Sequence, residues 1–159
     1  MIENWKDTAF GSDFGGDFLE LVENITSDTL TMDLIYTHSD VKKYIDNPDL
    51  LHERTDNNVR FTNSKFEQYI HFEDLIIALS AIIVEAGIHG QVDLTKAYGN
   101  KVLKFQMNKE EITPVYEALQ TIYNTPDSYV MFEMCMKEER EETLKDIKDI
   151  LSRFEKLVN

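Results

Sequence analysis

The stretch Phe72-Glu-Asp-Leu-Ile-Ile-Ala-Leu-Ser-Ala-Ile-Ile-Val-Glu-Ala-Gly-Ile88 decides the fold, because as a helix it would be apolar on almost every side. Such a helix has to be surrounded by other elements of the protein. Its most apolar run, Leu75 to Val84, is about half as long as a membrane span. We therefore expect a central helix over 72–88, closed by Gly87 and Gly90 because glycine readily adopts positive φ.

Amphipathic helices are predicted before this central segment. Apolar residues spaced by three or four positions line one helical face, namely Phe14, Phe18, Leu21 and Ile25. This first helix is expected to begin at Ser12 or Asp13, whose side chains can cap it. Trp5 and Phe10 are expected just before it, folded back on its apolar face. A second helix with less regular spacing is predicted over 27–45.

The carboxyl-terminal third continues the helical pattern. A helix is predicted from Thr113-Pro114 to Tyr123, since proline is tolerated at the first helical position, and a similar start signal follows at Thr125-Pro126. Farther on, apolar residues alternate at spacings of three and four: Leu144, Ile147, Leu151, Phe154 and Val158. Such a heptad seam packs either on the chain's own helices or on a second copy, in a homodimer through residues 144–158.

Together these patterns predict one mainly α domain over residues 1–159, an antiparallel helical bundle of about five helices around the central apolar helix. A chain of this length forms one domain and can bury about 70% of its unfolded surface. Residues 46–64 are polar and lack sustained periodicity, which predicts a surface loop. The sequence leaves open whether 46–64 and 91–107 contain short strands.

The chain is strongly acidic, with a net charge of −14 from 30 carboxylates against 16 Lys and Arg residues. Nucleic acids and anionic membranes bind clustered Lys and Arg, so neither is an expected partner. Residues 1–34 hold eight of the carboxylates and one lysine, which makes this segment the most acidic part of the chain. The charge pattern favours a basic partner.

The compartment and the cofactor content are also constrained. The only cysteine, Cys135, excludes an intramolecular disulfide, and the acidic start of the chain is unlike a secretory signal, so we expect a cytoplasmic protein. The four histidines form no HExxH motif and no Cys/His cluster. Neither a cofactor nor a metal is predicted. The densest polar spot is His71-Phe-Glu73-Asp74.

Carboxylates of the first helix form the candidate binding surface. Asp13, Asp17 and Glu20 are spaced by four and three positions and share one helical face. Like charges at this spacing destabilise a helix by about 0.2–0.5 kcal/mol per pair, which suggests an external cation. A solvated face, a surface for a basic protein and a metal site all fit. The residues assigned to partner binding are Asp13, Asp17, Glu20, Glu23 and Asp28.

The amino-terminal segment carries a family resemblance. Its motif comprises Trp5, Phe10, Asp13, Asp17 and Phe18. These residues resemble the start of an uncharacterised bacterial family, domain of unknown function 4259. That family has tryptophan in place of Phe18 and usually glycines in place of Lys6 and Thr8, so the chain resembles a divergent member. The resemblance implies a small helical protein of the bacterial cytosol, similar to the immunity partners of polymorphic toxins.

Three functional hypotheses follow. The favoured one is non-enzymatic, an immunity or inhibitor protein that neutralises a basic toxin by covering its substrate groove with carboxylates. The alternative is a metal-assisted hydrolase built around His71, Glu73 and Asp74, which are close in sequence. A homodimeric structural or regulatory module is the third. The sequence does not identify the partner, the oligomeric state or any activity.

Overall fold

The computed structural model describes residues 1–52, 58–62, 67–133 and 135–159. Its α-helices are α1 (Ile2–Phe10), α2 (Asp13–Ile25), α3 (Met32–His38), α4 (Val41–Asp46), α5 (Pro48–His52), α6 (Phe72–His89), α7 (Lys109–Asn124), α8 (Val130–Glu133) and α9 (Lys137–Val158). Its strands are β1 (Thr29–Thr31), β2 (Asn58–Thr62), β3 (Glu67–His71), β4 (Val92–Asp93) and β5 (Val102–Gln106). The protein is mainly helical, as predicted.

The central helix is confirmed as α6. Every residue from Phe72 to Ala86 is buried, and α6 packs against α1, α2, α7 and α9. Gly90 ends the helix with φ of 80°, as predicted. Gly87 instead lies within the helix, where an added Cβ atom would be 2.6 Å from a methyl group of Leu157, so its small size allows close packing of α9. Within the described ranges, none of the helices has the length and apolarity that crossing a membrane requires.

Two helices occupy the amino-terminal region where one was predicted. Trp5 and Phe10 are buried within α1, so the prediction that they precede the first helix is wrong. The second helix, α2, begins as expected: the hydroxyl of Ser12 accepts a hydrogen bond of 3.0 Å from the backbone N–H of Gly15. An added Cβ atom at Gly15 would overlap the backbone of α1. Glycine at this position lets the two helices meet closely.

Two small sheets correct the prediction of a pure helical bundle. In the first, β5 is central, paired in parallel with β1 and antiparallel with β4. In the second, β2 and β3 are antiparallel, with Val59 opposite Ile70. Residues 91–107 therefore contain two strands. Residues 46–64, predicted as a loop, contain α5 and β2 in their described part.

The predicted helix over 27–45 is also wrong in part, because the chain there forms β1, α3 and α4. β-branched Thr29 and Thr31 flank the fully buried Leu30, and β-branched residues favour extended backbone. The hydroxyl of Thr31 then accepts a hydrogen bond of 3.2 Å from the N–H of Leu34 and caps α3. The prediction of helix is confirmed only for the residues of α3 and α4.

The carboxyl-terminal helices differ from the prediction mainly in their boundaries. Asn108 and Glu111 form a capping box that starts α7 well before Pro114, which lies inside the helix. The second proline signal gives only a short 3₁₀ helix, Pro126–Ser128. The heptad seam lies on α9, where its buried residues pack on α6 and α7 of the same chain. A homodimer through 144–158 stays a prediction.

Candidate protein-binding face

Carboxylates of α2 form an acidic surface without internal neutralisation. Asp13 and Glu20 are exposed, and Asp17 between them is half-buried. Partial burial, followed by the charges of Glu20 and Asp13, raises the pKa of Asp17. Among the residues that the structure describes, no Lys, Arg or His forms an ion pair with any of the three. Within that part of the chain, the mutual repulsion of these three carboxylates can therefore be relieved only by solvent or by a bound partner.

Glu23 points away from this surface and binds the backbone of a neighbouring segment. Its side chain is 9% exposed, and its Oε2 atom accepts hydrogen bonds from the backbone N–H groups of Asn100 (2.6 Å) and Lys101 (2.7 Å). The Nζ atom of Lys101 donates in return to the carbonyl oxygen atoms of Glu23 (2.5 Å) and Thr26 (3.0 Å). Glu23 therefore positions residues 99–101 beside α2.

Asp28 lies beyond the carboxyl end of α2, next to the first sheet. Its side chain is exposed, and its carbonyl oxygen accepts a hydrogen bond of 2.8 Å from the N–H of Lys104. The five residues assigned to partner binding are thus divided. Asp13, Asp17 and Glu20 share one side of α2, Asp28 is at the end of the helix, and Glu23 is turned inward.

Tyr98 is an exposed aromatic residue that the sequence analysis missed. It is 60% exposed and has φ of 71°, a left-handed conformation that tyrosine seldom adopts. Its hydroxyl group donates a hydrogen bond to Asp7 of α1, and the ammonium group of Lys6 lies 5.3 Å from its ring centroid. No pattern near residue 98 predicts this arrangement, because its contacts come from the other end of the chain.

Two clefts flank the Tyr98 side chain. A cleft of about 490 Å³ separates it from α2 and includes Glu20 in its lining. A second, of about 480 Å³, lies beside Asp7 and Gly11. Exposed tyrosines among polar groups are common anchors of protein interfaces. Asp13, Asp17 and Glu20 of α2, together with Tyr98 across the cleft from Glu20, are called the acidic face below.

The remaining motif residues hold the core together. Trp5, Phe10 and Phe18 are all buried. The indole N–H of Trp5 donates a hydrogen bond of 2.9 Å to Asp149 of α9, and the guanidinium carbon of Arg153 lies 5.7 Å from its ring centroid. These contacts join α1 to α9. The apolar part of the motif is therefore structural, and its two carboxylates, Asp13 and Asp17, belong to the surface.

A second polar cluster lies at the start of α6. The Nδ1 atom of His71 is 3.6 Å from Oε1 of Glu73 and 3.4 Å from Oδ2 of Asp74. Glu73 is fully buried, and neither of its carboxylate oxygens has a hydrogen-bond partner among the described residues. Burial foremost, and then the charge of Asp74, raises the pKa of Glu73 to about 7; the backbone N–H groups of Glu73 and Met131, which are near but outside hydrogen-bonding geometry, and His71 offset part of the rise.

The raised pKa of Glu73 predicts a pH-dependent stability. Its folded-state pKa of about 7 exceeds the unfolded value of 4.5, so the folded state binds more protons between these values. The contribution to stability is complete below pH 4.5 and is lost as the pH rises through 7. Glu73→Gln, which is neutral and of the same shape, should therefore raise the free energy of unfolding at pH 8 by a few kcal/mol and change it little at pH 4.5.

Urea unfolding in chelator-treated buffer at the two pH values measures this difference. Glu117→Gln, at an exposed position of α7, is the matched control and should leave the pH dependence unchanged. The same effect of Glu73→Gln at both pH values would contradict the expectation, since it would show that Glu73 does not titrate in this range.

Comparison with known protein families finds a match over almost the whole chain. Residues 1–154 match the model of a family described as immunity protein 68. No curated protein and no solved structure matches the chain. The match supports the likeness to immunity proteins that the motif implies. It does not confirm the resemblance to domain of unknown function 4259.

Proposed function

The chain belongs to the immunity protein 68 family, and we propose that it acts by binding a toxin and blocking its activity. The family match over residues 1–154 is the observation that carries this proposal. An inhibitor of this kind needs a complementary surface rather than a catalytic site. The acidic face is the surface that we assign to this contact.

The charge of the acidic face favours a basic toxin. A toxin that cleaves nucleic acid has a basic substrate groove, because it must bind phosphate groups. Asp13, Asp17 and Glu20 would meet such a groove without first breaking an ion pair of their own within the described structure. The net charge of −14 would also accelerate the encounter at low salt. We place this contact in the cytoplasm, where such a toxin finds its substrate.

Tyr98 is proposed as the aromatic anchor of this contact. Tyr98→Ala should weaken toxin binding by about 30-fold, because truncation of an interface anchor commonly costs about 2 kcal/mol. Alanine shares the left-handed strain of tyrosine, so the substitution removes the ring without relaxing the backbone. Calorimetric titration with the purified toxin measures the effect.

Tyr69→Ala provides the matched control for this variant, because Tyr69 is also an exposed tyrosine, at 50% exposure on β3. It should bind the toxin like the unmodified protein. Tyr98→Phe keeps the ring and removes the hydrogen bond to Asp7, and should therefore retain most of the affinity. Equal affinities of Tyr98→Ala and Tyr69→Ala would exclude Tyr98 as an anchor.

An affinity pull-down from the source cell tests the proposed function. The tagged protein is incubated with lysate and washed at low and then at moderate salt, and bound proteins are identified by mass spectrometry. We expect one basic protein, retained at low salt and released as salt screens the contact. Retention of no protein at either salt concentration would contradict the proposal.

The other two hypotheses are less well supported by the structure. The structure brings His71, Glu73 and Asp74 together, as a metal-assisted hydrolase would need, but Glu73 and Asp74 are buried, so the cluster fits a structural site better than one that acts on a substrate. The seam of α9 already buries Ile147, Phe154 and Val158 within the chain, so less of it is available to a second copy. Neither hypothesis is therefore proposed here as the function.

A further inference from the structure

The cluster at the start of α6 has a local origin in the chain. His71 is the last residue of β3, and Glu73 and Asp74 lie in the first turn of α6. The change from strand to helix turns the backbone sharply, which brings the side chains of these three residues together. One ligand atom from each lies within 4.8 Å of the others.

The distances within this cluster fit a small divalent cation. Ligand atoms placed 2.0–2.2 Å from a tetrahedral zinc ion lie about 3.3–3.6 Å from one another. Nδ1 of His71 lies 3.6 Å from Oε1 of Glu73 and 3.4 Å from Oδ2 of Asp74, which matches two such edges. Imidazole and carboxylate groups are common zinc ligands in proteins.

Burial supplies an independent argument. Both oxygen atoms of the Glu73 carboxylate lie in the interior without a hydrogen-bond partner in the described structure, a costly state for an ionised group. The Asp74 carboxylate is also buried. When both carboxylates are ionised and the imidazole is neutral, the cluster carries a charge of about −2, which one divalent cation balances. A cation would therefore supply the partner that the protein does not.

The geometry points to a structural divalent-cation site, best suited to Zn²⁺, formed by Nδ1 of His71 and the carboxylates of Glu73 and Asp74. The ring of Phe14, centred 4.3 Å from that of His71, covers one side of the cluster. His71 is the least buried of the three residues, with 15% of its side chain exposed, against 0% for Glu73 and 5% for Asp74. The site is distinct from the proposed toxin contact and does not depend on it.

This cation would tie together three parts of the fold. His71 belongs to β3 and both carboxylates belong to α6. Oδ1 of Asp74 accepts a hydrogen bond of 3.2 Å from the hydroxyl group of Ser12, which caps α2. Cation binding would therefore stabilise the packing of β3, α6 and the start of α2.

Zinc binding by the full chain tests this inference. Protein freed of metal with a chelator is dialysed against ZnCl₂, bound zinc is measured by mass spectrometry, and melting is followed by circular dichroism. We expect one zinc ion per chain and a rise in melting temperature of about 5 °C or more. His71→Ala and Glu73→Gln should each weaken zinc binding about 100-fold or more.

Two variants distinguish the loss of a zinc ligand from the loss of the fold. Glu73→Gln conserves the shape of the side chain and should stay folded without zinc, so its failure to bind zinc would report on the ligand itself. His89→Ala is the matched control, because His89 also lies near a carboxylate of α6, 3.9 Å from Glu85. It should bind zinc normally. No stoichiometric zinc on the unmodified chain, or unchanged binding in both site variants, would overturn the inference.

Discussion

Replacing Asp13, Asp17 and Glu20 together by lysine is expected to weaken toxin binding by about 100-fold or more at low salt. Each substitution exchanges an attractive charge for a repulsive one at a surface that carries no neutralising partner within the described structure. Most of the loss should appear in the association rate, since unpaired exposed charges steer the encounter of two proteins. The salt dependence of that rate should also become flatter.

Surface plasmon resonance at low and high salt measures both quantities with the purified toxin. The control variant carries lysine at Glu138, Glu141 and Glu155, exposed residues of α9. It changes the net charge by the same amount, so it separates the acidic face from the general charge of the protein. Unchanged affinity of the α2 variant, or equal losses in both variants, would show that the acidic face is not the binding site.

Trp5→Ala is expected to lower the free energy of unfolding by about 3–5 kcal/mol, the second large effect. Trp5 is a buried residue of α1 that contacts α9. Its removal would leave a cavity and deprive a carboxylate oxygen of Asp149 of its hydrogen bond. For a domain of this size the melting temperature should fall by roughly 10 °C. Trp5→Phe fills most of the space and should cost less than half as much.

Urea unfolding followed by circular dichroism suits this test, because Trp5 is the only tryptophan and its fluorescence disappears with it. Well below its melting temperature, Trp5→Ala should still bind the toxin, since the side chain lies away from the surface. A loss below about 1 kcal/mol would mean that Trp5 is not packed as described, and normal stability with lost binding would place it at the interface.

Long periodic segments could be predicted from sequence, and short strands could not. The apolar positions of α2, α6 and α9 repeat over several turns, so their buried sides follow from composition and spacing. By contrast, β1 has three residues and pairs with β5, with Leu30 opposite Phe105. A strand of this length has no measurable period, and its partner is distant in the chain. The sheets therefore depend on tertiary contacts.

The candidate site was likewise predictable only where its residues follow a helical repeat. Asp13, Asp17 and Glu20 follow the helical repeat and stay together on α2. Glu23 is ten residues beyond Asp13, and at about 100° per residue it is rotated by about 80° from that side. This rotation carries it toward the 99–101 turn, where backbone N–H groups bind its carboxylate. Tyr98 could not be predicted, because only the folded chain brings it next to Asp7.

Growth of cells that express the captured basic partner tests the central claim most directly. We predict that the partner alone arrests growth and that co-expression of this chain restores it. Lysine at Asp13, Asp17 and Glu20 should abolish the rescue, while the α9 control variant should preserve it. Growth arrest that this chain does not relieve would contradict the immunity function, and full rescue by the α2 variant would contradict the acidic face as its site.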